Sequence, residues 1–285
     1  MRLAQHCVVA AAILGVTAAA QAHSPLEQKI AEDGKVVLGI ANEAPYGFAA
    51  SDGTVTGEAP EIAKHVLGEM GVEEVEGVIT EFGSLIPGLN AGRFDMIAAG
   101  MFLTPERCGQ ITFSEPTYGI GQAFLIKEGN PKNINNYEDV AANSDVTLAV
   151  MGGAIEGQYA QQAGVPVGQL LVVPDRAAGT AAVEAGRADA FALTSLTIGD
   201  IVEARGSDAG LAMTEAFSTV AGENVKGHGG FGFRNEDAEF VDEFNQKLTE
   251  FIGTEEHLAL VEPFGFGKDE LPELTRAELC PGVYE

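Results

Sequence analysis

The sequence predicts an α/β protein built as two lobes around a cleft. Three observations carry this. Strand and helix signals alternate over residues 35–99, the same order recurs over 146–193, and two extended segments flanked by glycine, 124–127 and 229–234, bracket the second half. A β-α-β-α-β order needs crossover helices and so builds a parallel sheet. An apolar content of 46% supplies two cores, and the length fits two lobes of ordinary size.

The first strand is the β-branched run KVVLGI at 35–40. Residues 59–70 place Ile62, Val66 and Leu67 on one helical face, with Gly71 as the stop. Residues 75–82 read as the second strand. Ser84 is the expected N-cap of a helix over 85–91 that ends before Gly92, and 94–99 is the third strand. The second half repeats this: strand 146–150, a Gly152-Gly153 turn into helix 154–163, strand 171–173, helix 180–185, strand 190–193. Leu89-Asn90-Ala91-Gly92-Arg93-Phe94-Asp95 echoes Val183-Glu184-Ala185-Gly186-Arg187-Ala188-Asp189. Each block lies between a helix and an apolar strand, which marks the lobes as related. The two glycine-flanked segments would be crossings between lobes, free to rotate. The helical spacing of Phe240, Phe244, Leu248 and Phe251 then returns the chain to the first lobe. Lobe 1 is expected over 23–126 and 228–285, and lobe 2 over 127–227.

Residues 1–22 read as an export signal: Arg2, an apolar run over 7–20, and the cleavage pattern Ala20-Gln21-Ala22. The expected destination is the periplasm. A net charge of −26 excludes nucleic acid as a partner and reads as a solvated acidic surface. A monomer is expected. Cys108 and Cys280 remain after cleavage, either as one disulfide favoured by an oxidising compartment or as two buried thiols. There is no CxxC, and His65, His228 and His257 are scattered, so neither a metal nor a cofactor is expected.

Ligands of parallel α/β sheets sit beyond the carboxyl ends of the strands. The first half places Glu43, Tyr46, Phe82, Gly100, Met101, Phe102 and Arg107 there; the second places Gly152, Gly153, Ala154 and Thr194 there. Arg107 carries a planar fork of donors that fits a carboxylate. The Gly152-Gly153-Ala154 backbone could turn N–H groups of a helix start toward an anion. Glu43, among Pro45, Tyr46 and Phe48, can pair with a cation, and each ring face adds ~0.5–2 kcal/mol when desolvated. The plainer alternatives are an exposed arginine and aromatics that only fill a core. Taken together, the set describes a zwitterion-binding site. No catalytic triad or phosphate loop is present, no GxGxxG follows a predicted strand, and no catalytic residue is assigned.

Gly100-Met101-Phe102-Leu103-Thr104-Pro105-Glu106-Arg107, followed by Phe113-Ser114-Glu115-Pro116 and preceded by Leu85-Ile86-Pro87-Gly88-Leu89 and Gly92-Arg93-Phe94-Asp95, resembles the signature of the polar amino-acid class of periplasmic solute-binding proteins. The resemblance covers nearly all of the chain after residue 22. It implies the type II two-lobed fold with two hinge crossings, delivery of a solute to the membrane subunits of an ABC importer, no enzymatic role, and Arg107 as the carboxylate-binding arginine. Members that bind α-amino acids usually carry Ser or Thr where this chain has Phe102, and an acid where it has Thr194. The two departures resemble the ectoine/hydroxyectoine-binding branch, whose ligand is a cyclic zwitterion with a delocalised amidinium. Glu43 would then hold the amidinium, with Tyr46, Phe82 and Phe102 on the ring. The same fold binding a polar or cationic amino acid, and an exported cyclohexadienyl dehydratase-like lyase, are the alternatives.

Overall fold

The computed structural model describes residues 24–284; the expected export signal lies outside them. Two mixed sheets share one plan. The first has the order Glu74–Ile79, Lys35–Ile40, Met96–Phe102, Gly227–Phe233, Thr112–Phe113, with Tyr118–Ile120 also paired to Gly227–Phe233. The second has the order Leu170–Val173, Leu148–Met151, Ala190–Thr194, Gln122–Lys127, Leu211–Met213. In each, three parallel strands are followed by one antiparallel strand, Gly227–Phe233 or Gln122–Lys127. Helices on both faces explain why Met96–Phe102 is buried along almost its whole length rather than at alternate positions.

The helix Glu58–Glu69 buries Ile62, Val66 and Leu67 as the spacing requires. The helix Ala238–Phe251 buries Phe240, Phe244, Leu248 and Phe251. Phe244 meets Phe231 and Phe233 of the first sheet edge-on, each with centroids 5.3 Å apart. The chain therefore does return to the first sheet.

Both crossings lie earlier than the sequence reading places them. Gln122–Lys127 is a strand of the second sheet, so residues 122–126 pack there and the change of sheet falls at Gly121. Gly227–Phe233 is already a strand of the first sheet, so the return falls between Asn224 and Gly227. The two crossing strands run side by side, with Ile120 opposite Gly227. Extended runs beside glycines marked these segments correctly as β structure, but pairing partners are set by tertiary contacts that a single run does not reveal. Two smaller differences follow the same logic. Ser84 makes no side-chain cap, and the helix expected from Ala154 begins at Glu156.

The repeated Gly-Arg-X-Asp block has a physical cause. Asp95 accepts the Val37 N–H at 2.8 Å through its carboxylate, while its own N–H donates to the Val37 carbonyl at 2.7 Å. Asp189 does the same to Thr147, at 2.8 Å and 2.8 Å. In each lobe the aspartate at the head of the third strand clamps the start of the first. Lys29 bonds Asp95 at 2.6 Å, and Lys132 lies 3.7 Å from Asp189. Asp95→Ala leaves a backbone donor and an ammonium without their acceptor and is expected to cost ~1–3 kcal/mol in urea unfolding. Asp189, which is more exposed, is expected to cost less. Equal, near-zero losses would show that neither clamp contributes.

Candidate functional site

Arg107 sits on a single helical turn, Pro105–Cys108, whose entry is fixed by Pro105 at the first position and by Thr104, which accepts the Arg107 N–H at 3.3 Å. The side chain is buried. Its Nη1 donates to the Phe102 carbonyl at 2.9 Å, and its Nη2 to the Gly153 carbonyl of the other lobe at 3.0 Å. Each terminal nitrogen carries two protons, so one on each remains for a further acceptor. The guanidinium lies 5.6 Å from the centre of the Phe82 ring. The next residue, Cys108, is disulfide-bonded to Cys280, which ties this turn to the C-terminal segment.

The aromatic walls depend on two glycines. Gly100 has φ +64, and a Cβ there would lie 2.4 Å from the Tyr46 ring. At Gly227 a Cβ would lie 1.8 Å from the Phe102 ring. Only glycine lets both rings pack flat on the sheet backbone. Behind them Tyr118 lies 5.0 Å from Tyr46 and 6.1 Å from Phe102, ring centre to ring centre, and donates to the Gly100 carbonyl at 2.7 Å. The Tyr46 hydroxyl donates to Thr194 Oγ1 of the second lobe at 2.9 Å.

Three buried carboxyls surround these groups. Glu43 lies in the loop after the first strand and accepts from Thr197 Oγ1 of the second lobe at 3.0 Å. Burial pushes its pKa up to about 7, against the opposing effects of the Thr197 hydroxyl and the Arg176 charge. Glu156 opens the helix Glu156–Gln162. Burial raises its pKa to about 8; the Glu43 charge adds to this, while its own backbone N–H and Arg107 oppose it. Glu58 accepts from Thr117 Oγ1 at 2.6 Å, and burial raises it to about 7. It also acts on Tyr46 and Tyr118 electrostatically, from behind the wall.

These groups enclose a cavity of about 30 Å³ lined by Glu43, Tyr46, Phe82, Gly100, Phe102, Arg107, Ala154 and Thr194, together with Met151, Ile155, Glu156 and Leu193. That volume is far below the range of ligand pockets, so the walls must part to admit a solute. Eight expected residues thus converge. Met101, Gly152 and Gly153 do not face this cavity and instead line the open groove beside it, along with Phe82 and Arg107. The expected backbone anion site is also altered. The Gly152 N–H bonds the Val173 carbonyl and the Ala154 N–H bonds Met151, at 2.9 Å and 3.2 Å, while Gly153 presents its carbonyl to Arg107. The turn accepts a cation where the sequence reading expected it to donate to an anion. Glu156 escaped that reading because a helix beginning at Ala154 would leave it as an ordinary first-turn acid. An acid directly after Gly152-Gly153-Ala154-Ile155 was the available signal.

A family model for bacterial extracellular solute-binding proteins, family 3, matches residues 36–268. A probable amino-acid ABC transporter periplasmic-binding protein, y4tE, of Sinorhizobium fredii is 36% identical over 277 residues, covering 95% of this chain and 91% of that protein. The L-arginine-binding protein of Pseudomonas aeruginosa is 28% identical over 223 residues, covering 76% of this chain and 83% of that protein. Among solved structures, EhuB in complex with hydroxyectoine matches with a TM-score of 0.82 at 35% identity, over 90% of this chain and 97% of that one. An ancestral amino acid-binding protein, AncCDT-1, a precursor of cyclohexadienyl dehydratase, matches at 0.71 and 27% identity, over 83% and 98%. With one sheet plan used twice, a cleft between the sheets and a family match across most of its length, the chain belongs to family 3 of the bacterial extracellular solute-binding proteins and is a periplasmic solute-binding protein of the amino-acid ABC importer type.

Proposed function

We propose that this protein is the periplasmic receptor for ectoine or hydroxyectoine and delivers it to the membrane subunits of an ABC importer. The observation that carries this reading is the composition of the cavity wall: one guanidinium, two buried carboxyls and three aromatic rings around a small volume. Arg107 would hold the ligand carboxylate through its two remaining protons. Glu43 and Glu156 would share a planar, delocalised cation, whose weak hydration makes burial less costly than for a compact ammonium. Tyr46, Phe82 and Phe102 would pack on the ring. Two charged contacts of ~1.5–3 kcal/mol each, with ring burial, are of the order needed for micromolar affinity, about −8 kcal/mol. The relation to the EhuB structure, which holds hydroxyectoine, supports this reading. In it residues 1–22 direct export and are removed, and no cofactor or catalytic step is involved.

The surplus of carboxyls over guanidinium in the cavity favours one alternative ligand, a cationic amino acid. Calorimetry of the purified protein against ectoine, hydroxyectoine, arginine, glutamine and glutamate separates the two. Tight binding of the ectoines is expected; silence for both, with tight binding of arginine, would replace the proposal. Consumption of a cyclohexadienyl acid, followed by absorbance, would instead identify a lyase.

Arg107→Ala is expected to abolish binding and leave the far-UV spectrum unchanged. Phe102→Ser is expected to weaken the ectoines by roughly tenfold, the order of one lost ring contact; unchanged affinity for either variant would remove that residue from the ligand set.

The buried acids also set a pH dependence. In the fold, Glu156 keeps its proton up to about 8, whereas an ordinary glutamate loses it near 4.5. Across that interval the folded state binds more protons than the unfolded chain, so the contribution of Glu156 to stability falls as pH rises. Measured without ligand, Glu156→Gln is expected to gain in melting temperature relative to the parent protein as pH increases through this window. A constant difference would mean that Glu156 is ionised in the fold throughout.

A further inference from the structure

Among the charged groups that bridge the lobes, Arg176 does not face the cavity. Arg176 is the first residue of the helix Arg176–Glu184 in the second lobe. Its Nη1 reaches across to donate to the Ala44 carbonyl at 3.2 Å, while its Nη2 pairs with Asp200. The side chain is largely shielded, at 18% exposure. Ala44 directly follows Glu43, so the carbonyl that Arg176 holds belongs to the chain segment that carries the Glu43 carboxylate.

The surroundings make that position consequential. Glu43 has Thr197 as its hydrogen-bond partner and shares the cavity with Glu156, Tyr46 and Arg107. It also acts on Tyr118. Glu156 and Glu43 repel each other when both are ionised. Arg107 makes its own bonds to Phe102 and Gly153. A positive end of a helix dipole disfavours a cation at the start of Arg176–Glu184, and Asp200 offsets that cost. A guanidinium stays charged at any working pH.

We propose that Arg176 is a positioning residue of the receptor: as the lobes meet it latches onto the Ala44 carbonyl and sets a positive charge beside the Glu43 carboxylate. This rests on Glu43 being the partner of the ligand cation. The charge comes from the opposite lobe, so it acts on Glu43 only when the cleft is shut. Closure and readiness to accept a cation are thereby coupled, as a two-state receptor requires if its ligand is to favour one state. The burial-driven rise of the Glu43 pKa is opposed by Arg176, in keeping with this geometry.

The test compares the parent protein with Arg176→Gln, Arg176→Lys and Asp200→Asn. Affinity for hydroxyectoine is measured by calorimetry across the pH range in which the cleft carboxyls titrate. The Glu43 carboxyl is followed separately by carbon NMR without ligand, in protein whose lobes are held shut by a short thiol cross-link between Glu106→Cys and Gln158→Cys, where Gln158 and Glu106 meet at 3.3 Å, and is identified by its loss in Glu43→Gln. Arg176→Gln is expected to bind roughly tenfold more weakly near neutral pH, the order of one charged hydrogen bond, and to shift both the affinity profile and the Glu43 titration to higher pH. Arg176→Lys restores the charge and is expected to return the titration toward that of the parent, while Asp200→Asn leaves it in place. A Glu43 titration unmoved by Arg176→Gln overturns the proposal and leaves Arg176 as a structural partner of Asp200. If hydroxyectoine fails to bind even the parent protein, the assigned ligand falls, and the ligand-free titration still decides the role of Arg176.

Discussion

The cleft depends on one buried cation shared between two lobes. Arg107 gives one hydrogen bond to the Phe102 carbonyl of its own lobe and one to the Gly153 carbonyl of the other. Burying a guanidinium is costly unless its donors are used. Two are satisfied by backbone carbonyls, that of Phe102 within the same lobe and that of Gly153 only while the lobes are together. The remaining donors are oriented by that bonding, so the lobes and the ligand compete for nothing: each has its own face of the fork. The Cys108–Cys280 bridge and the Thr104 cap hold the turn from behind.

Around that cation the site is built by balancing acids that are themselves poorly solvated. Glu43 and Glu156 come from different lobes and face one cavity. Each loses hydration on burial and each makes ionisation of the other harder. Such a pair is unfavourable without a cation and favourable with one, which is the electrostatic form of selectivity expected of a receptor for positively charged groups. The inter-lobe bonds from Tyr46 to Thr194 and from Thr197 to Glu43 are donated by hydroxyls. They add direction to the closed arrangement.

The aromatic wall shows how backbone and side chain share one constraint. Tyr46 and Phe102 lie against Gly100 and Gly227, where any Cβ would overlap a ring. Gly227 stands at the start of the strand that re-enters the first sheet, opposite Ile120 of the outgoing strand. The packing of a cavity ring is thus continuous with the place where the chain passes between lobes.

Much of this was legible in the sequence because it depends on local pattern. The β-α-β order, the apolar face of Glu58–Glu69, the phenylalanine spacing of Ala238–Phe251 and the repeated Gly-Arg-X-Asp block are written in residues close together in the chain. The same holds for Arg107, whose Thr-Pro-Glu-Arg turn is self-contained, for Glu43, Tyr46 and Phe82, which follow strand ends, and for Phe102, which closes one. Tertiary structure alone decided the rest. Strand partners set the crossings at Gly121 and before Gly227, since an extended run carries no mark of which sheet it joins. The start of a seven-residue helix set the direction of Glu156, because a two-residue shift turns a side chain from solvent to cleft. Apposition of the lobes gave the Gly153 carbonyl to Arg107 and the Ala44 carbonyl to Arg176, contacts between segments 46 and 132 residues apart, at separations where sequence spacing no longer determines distance.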